Sequence, residues 1–164
     1  VTVDVAEETT YLRKLVKFIK EIPELARWSP RLITAGSLEK ALEQKFGGSA
    51  IILHDFEPED VDSHNTIRDW HFRHYLTTIV KRRSIPDDSA HGIPDILAGE
   101  SDGAASVAVF DGILRESFRG ENLGGYCILI NFTFIQNDSV LSVIEGIDIE
   151  SRTYMVEAIK EVNL

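Results

Sequence analysis

The sequence predicts an α+β fold: a mainly antiparallel sheet covered on one face by two amphipathic helices, with a long irregular arm. Three observations predict it. Two segments, around Tyr11–Ile22 and Ala104–Phe118, repeat apolar residues at three- and four-residue spacing, the period of a helix with one buried stripe. Short runs rich in β-branched and aromatic residues lie between and after them and read as strands. The chain has 164 residues, 43% of them hydrophobic, which suits a single domain over residues 1–164 that folds without a disulfide or a metal.

The opening VTVDVAEETT alternates valine with polar residues and then turns acidic, so residues 1–8 are expected to form an extended N-terminal arm. Thr9 or Thr10 then caps a helix whose apolar stripe is Tyr11, Leu12, Leu15, Val16, Phe18, Ile19 and Ile22. Lys14, Lys17 and Lys20 fall on its other side, and Pro23 ends it by disfavouring helix at Ile22. Arg31–Thr34 reads as a short strand between Pro30 and Gly36. Ser37 caps a second helix through Phe46, closed by Gly47 and Gly48. SAIILHDF is a central strand, and EPEDVDSHN an acidic loop after it.

Ile67–Lys81 is a long strand whose alternation puts Trp70, Phe72, His74, Leu76, Thr78 and Val80 on one face. His71, Arg73, Tyr75, Thr77 and Ile79 take the other. Residues 84–103 hold two prolines, three glycines and no period, and form the extended arm. A loop of that length in a small domain is usually functional or disordered. In the next helix, Gly112 costs about 1 kcal/mol relative to Ala, which implies close packing against a neighbour; Gly120 ends the helix. YCILINFTFIQ is a strand with Tyr126, Ile128, Ile130, Phe132 and Phe134 toward the core. SVLSVIEGIDI and RTYMVEAIKEV are two further strands joined near Glu150 and Ser151.

Seventeen Lys and Arg against 27 Asp and Glu give a net charge of −10, which argues against a surface built to grip phosphates. One cysteine forbids an internal disulfide and any multi-cysteine zinc site, as suits a reducing compartment. No apolar run reaches the ~18 residues of a membrane span, and no membrane partner is expected. His54, Asp55, Glu57, Glu59, Asp60, Asp62 and His64, with His71 and His74 downstream, are the right ligand types for zinc, manganese or iron. Their spacing is wrong. His71 and His74 are three apart on a strand and face opposite ways, and the acidic stretch lacks the glycine of a calcium loop. A solvated acidic loop is expected, with no metal and no cofactor.

Cys127 lies in an apolar run and reads as a small core residue. There is no G-x-S-x-G elbow, Walker loop or G-x-G-x-x-G. Gly120, Gly124 and Gly125 follow a helix and precede a strand, the reverse of a phosphate cradle, and read as turn residues. Lys81, Arg82 and Arg83 form the densest basic patch. With Trp70, Phe72, Arg73 and Tyr75 it has three readings: a stacking platform for single-stranded nucleic acid, a charged strand end that opposes aggregation, or a subunit contact. On an acidic chain the third is favoured, the basic strand end meeting the acidic loop of a neighbour.

The order of parts carries a resemblance. LRKLVKFIKEIPEL is followed by SAIILH, then by WHFRHYLTTIVKRR and an irregular arm, then by SVAVFDGILRESF, and the chain closes on RTYMVEAIKEV. From Tyr11 to Val162 this resembles the tail terminator, or tail-completion, proteins of long-tailed bacteriophages. The short helix over Leu38–Phe46 and the strand-like Ser139–Ile149 depart from that order. The resemblance implies a small α+β virion subunit, assembled in the host cytoplasm, that forms a hexameric ring. Such a ring caps the tail tube, joins it to the head-side connector and lets DNA through its lumen without specific binding. It implies no catalytic residues. The contacts expected on this reading are Glu57, Glu59, Asp60 and Asp62 in the acidic loop, then Trp70, then Lys81, Arg82 and Arg83, and Pro86 and Pro94 in the arm. Two rivals come from other classes: a small metal-dependent hydrolase or nuclease using His54 and Asp55, and a host α+β adaptor or ligand-binding protein.

Overall fold

The computed structural model describes residues 2–44, 48–59, 69–83, 107–138, 143–144 and 147–161. Helix α1 (Thr2–Lys20) is followed by a 3-10 turn (Pro23–Leu25), strand β1 (Arg31–Thr34) and helix α2 (Leu38–Leu42). Strands β2 (Ser49–Glu59) and β3 (Asp69–Arg83) come next, then helix α3 (Val107–Phe118). Strands β4 (Ile128–Asp138), β5 (Val143–Ile144) and β6 (Ile147–Glu161) complete the order. The sheet runs β1-β2-β3-β6-β4, with β5 paired to β6. Only β1 and β2 pair in parallel; the other ladders are antiparallel. The expected α+β class is what forms.

One face of the sheet carries α1 and α3. Tyr11, Leu15 and Ile19 of α1 and Phe110, Leu114 and Phe118 of α3 join Phe72, Leu76, Val80, Tyr154 and Val156 in one core. The short α2, capped by Ser37 as the sequence predicts, lies on the opposite face, where Ala41 packs with Ile33, Ala50, Ile52 and Ile79. The long strand alternates as expected, and it is the middle strand of the five.

Three expectations are corrected. Residues 2–8 are no extended arm, since they belong to α1, which begins at Thr2. Its second turn is tied to the sheet: Glu7 accepts a hydrogen bond from Tyr126 and pairs with Lys160 Nζ at 2.9 Å. Lys160, and then Tyr126, hold the Glu7 carboxyl below the ordinary range. Such anchoring far from Tyr11 outweighs the weak local signal of alternating valines. The two tail strands do not join near Glu150 and Ser151, because both residues are buried inside the continuous β6. Ser151 pairs with Ile79 on one side and Asp138 on the other, so polar residues that mimic a turn sit within two ladders. Gly112 is exposed, and an added Cβ there would meet nothing within 4 Å, so no close packing explains it.

A polar pair lies inside the core. Tyr11 and His74 Nε2 are 2.7 Å apart, and His74 Nδ1 is 3.3 Å from the Tyr75 carbonyl. A carbonyl only accepts, so Nδ1 carries the proton and Nε2 accepts from the Tyr11 hydroxyl. Phe72 stacks on Tyr11 at 4.4 Å and Phe56 on His74 at 4.8 Å. Burial pushes the His74 imidazole down to about 4. It likewise pushes the Tyr11 hydroxyl well above its usual value.

Two measurements check these points. Since His74 titrates lower in the fold than in the unfolded chain, its contribution is complete above about pH 6.5 and is lost as pH falls toward 4; urea denaturation across that window is expected to show a decline of about 3 kcal/mol. Replacing Gly112 with Ala is expected to stabilise the fold by about 0.5–1 kcal/mol, read as a higher urea midpoint at unchanged slope.

Candidate functional site

The predicted contact residues fall at separate places. Glu57 and Glu59 belong to β2 and not to a loop after it, opposite Arg73 and His71. An extra residue between His54 and Glu57 causes this, with Asp55 at a φ of 51°. Asp tolerates that left-handed conformation better than most residues. Glu57 lies 3.5 Å from Arg73 Nε and accepts from the Tyr75 hydroxyl at 3.5 Å, so its charge is already met within the subunit. Asp60, Asp62, Pro86 and Pro94 lie outside the described residues, as does the arm over 84–103.

Trp70 is the second residue of β3 and is half-buried against the main core. Lys81, Arg82 and Arg83 end the same strand, opposite Ile149, Asp148 and Ile147. At ~3.3 Å per residue the two ends of the strand are ~40 Å apart. Phe72 is buried while Arg73 and Tyr75 face the other way, so the aromatic residues and the basic patch make no single stacking platform.

His54 and Asp55 take part in a hydrogen-bonded chain. Asp55 Oδ2 is 2.5 Å from His54 Nδ1, His54 Nε2 is 2.7 Å from Thr77 Oγ1, and Thr77 Oγ1 is 2.9 Å from Thr153 Oγ1. Carboxylate, imidazole and hydroxyl follow in the order of a nucleophile relay. Thr77, however, is fully buried between two strands, where no substrate atom reaches its hydroxyl. Both His54 nitrogens are engaged. His71 meets Glu157 at 2.7 Å on this face while His74 meets Tyr11 on the other, so the two imidazoles are separated by the sheet as their spacing predicts. Among the described residues no three His, Cys, Asp or Glu side chains group to hold a metal. Burial pulls the Glu157 carboxyl up, but Asn131, His71 and Arg73 outweigh it and its pKa lies below the ordinary range.

Among the described residues the exposed large apolar side chains are Leu42 on α2 and four on β4. Of the inward set expected around β4, Tyr126 and Phe132 do pack against the core, but Ile128 and Ile130 do not. Cys127 and Leu129 are buried, while Ile128 and Ile130 are 54% and 50% exposed. Burial, and then Glu121 nearby, raise the Cys127 thiol to about 11, so it stays protonated in the core. The register shifts between Leu129 and Asn131, then again between Phe134 and Gln136. Each shift leaves one residue without a cross-strand partner, Ile130 and then Ile135, and reverses the alternation. Phe132 thereby stacks on Tyr154 at 4.4 Å, and Phe134 meets the same ring edge-on while remaining 43% exposed. Ile135 is 46% exposed. Among the described residues β4 is an edge strand, and these four side chains lie along it.

At the other edge, β1 and α1 bound a groove of about 420 Å³ lined by Leu12, Val16, Arg13, Lys17 and Lys20. It adjoins a hollow of about 310 Å³ that shares Lys20 and adds Leu32. The sequence reading placed Lys17 and Lys20 on the polar side of α1 but gave no sign that β1 lies beside them. Neither protein-family models nor curated proteins give a match to this chain.

The buried chain through Thr77 is testable by stability. Thr77→Val keeps the shape but leaves His54 Nε2 and the Thr153 hydroxyl without that partner, an expected loss of about 1–3 kcal/mol in chemical denaturation. Asp55→Asn, at a half-exposed position, is expected to change stability by less than about 1 kcal/mol.

Proposed function

We propose that this chain is a structural subunit of a phage tail or neck that acts by assembly and not by catalysis. Copies join side to side into a ring that caps the tail tube and meets the head-side connector. The single observation that carries the reading is the β4 edge, where Ile128, Ile130, Phe134 and Ile135 present apolar surface along a strand that pairs, among the described residues, with β6 alone. Soluble monomers protect long edge strands with charge, and here bulges are the protection that the described residues supply. A closed ring needs a heterologous contact between two different surfaces on one subunit. A five-strand path with β1 at one end and β4 at the other supplies two such surfaces.

Two further points support the reading. The described elements follow the order on which the resemblance to tail terminators rests, a helix, strands, a long strand, a helix and a closing strand. A net charge of −10 also suits a ring through which DNA slides, because negative walls repel phosphates and prevent tight binding.

Native mass spectrometry of the full chain, alone and with tail-tube protein, tests the proposal. The expected result is a large closed assembly. Ile130→Lys and Ile135→Lys are expected to return it to monomers while changing stability by no more than about 0.5 kcal/mol, since both side chains are half exposed. Wild-type chains that remain monomeric beside assembled tubes would overturn it.

A further inference from the structure

We infer that the groove between α1 and β1 is the docking site for the acidic, apolar segment over residues 84–103 of a second copy of this chain. The inference rests on the assembly reading above and adds which surfaces meet. The groove is chemically unusual for this protein. Leu12, Val16 and Leu32 give it an apolar floor, and Arg13, Lys17 and Lys20 stand exposed along it. Glu21 is the only carboxylate among its lining side chains. Among the described residues no carboxylate pairs with those three cations, on a chain where acids outnumber bases by 27 to 17. The groove continues past Lys20 into the adjoining hollow, so it suits an extended segment better than a compact ligand.

β1 adds a backbone template. Among the described residues its one strand partner is β2, so an extended chain could add on the other side of this four-residue strand. Main-chain bonds to such an edge supply affinity, and pockets for alternate side chains supply specificity.

The occupant is identified by chemistry. Residues 84–103 carry Asp87, Asp88, Asp95, Glu100 and Asp102 and no Lys or Arg. Ile85, Ile93, Ile96 and Leu97 are spread between those charges. Carboxylates matched to a cationic rim, with aliphatic side chains over an apolar floor, give the complementarity that fixes partner and register. A second copy is assigned as the source because a heterologous contact joins two different surfaces carried by every chain, here the groove and the acidic segment.

The test uses the full chain throughout. In the first arm, a fluorescent peptide of residues 84–103 is titrated with a D87K/D88K chain, whose own segment competes poorly. Saturable binding is expected, weakened by added salt and reduced roughly tenfold or more by K17E/K20E. No binding, or binding indifferent to K17E/K20E, would overturn the inference. In the second arm, K17E/K20E and D87K/D88K chains are each expected to lose assembly in native mass spectrometry. Mixed one to one, they have a single competent pairing and are expected to stop at dimers, while the quadruple variant regains larger assemblies. Monomers from that mixture would show that each segment stays on its own chain and would overturn the second-copy assignment. Assembly unaffected by the groove variants would sink this inference and leave the ring standing. Peptide binding by chains that never assemble would do the reverse.

Discussion

The neutral imidazole of His74 is the constraint around which the helical face is built. A protonated His74 would place a charge where Tyr11, Phe72 and Phe56 leave no water, and charge in such surroundings is strongly disfavoured. The Tyr11 hydroxyl therefore has one role open to it: it donates to Nε2, and α1 is held to the central strand by a directional bond inside an apolar layer. Packing alone tolerates sliding of a helix over a sheet. A buried hydrogen bond does not, because a shift of a few ångströms leaves two polar atoms unsatisfied.

That constraint reaches into β2. His54 and Phe56 are two apart and would share a face in a regular strand. They do not share one here: His54 bonds Thr77 on the far side, and Phe56 stacks on His74 on the near side. The extra residue at Asp55 is what allows both. Its further effect is to set Glu57 across from Arg73, so that an acidic residue that reads as loop becomes a half-exposed member of the sheet. One local distortion thus serves the core and cancels a charge at the surface.

The same physics explains what the sequence discloses and what it conceals. Ser37 as a cap, Gly120 as a helix end and the apolar stripe of α1 were all legible, since each is a local signal with its own periodicity or backbone demand. The start of α1 was not, because it depends on Glu7 meeting Tyr126 and Lys160, residues more than a hundred positions away. Strand alternation was legible along β3, which has no bulge, and failed along β4, where two bulges reverse the phase. A bulge inserts no characteristic residue: Ile130 is as β-prone as its neighbours, so period-2 reasoning assigns it inward with Ile128, and nothing marks Ile135 as a break in the ladder. The candidate surfaces were hidden for that reason. The sequence marks Trp70 and Lys81–Arg83 as prominent residue types, whereas the exposed apolar set and the cationic groove arise only when register and sheet order are known.

The two sheet edges differ in what they could pair with. The β4 edge is apolar but twice bulged, and bulges bend and twist a strand so that a second flat strand pairs with it poorly. The β1 edge is regular but only four residues long and flanked by Arg13, Lys17 and Lys20. Neither edge is a good template for an identical edge, so isologous stacking is discouraged at both. On the assembly reading proposed above, each suits something different from itself: the bulged edge a shaped apolar surface, and the cationic edge an acidic strand. Association between unlike surfaces either closes or propagates, and self-repulsion of an acidic chain opposes unlimited growth by making each added copy electrostatically more costly. A cationic groove on that background is therefore more than local complementarity. If copies associate as proposed, it concentrates attraction at one contact against an acidic background, which favours a defined neighbour over general aggregation.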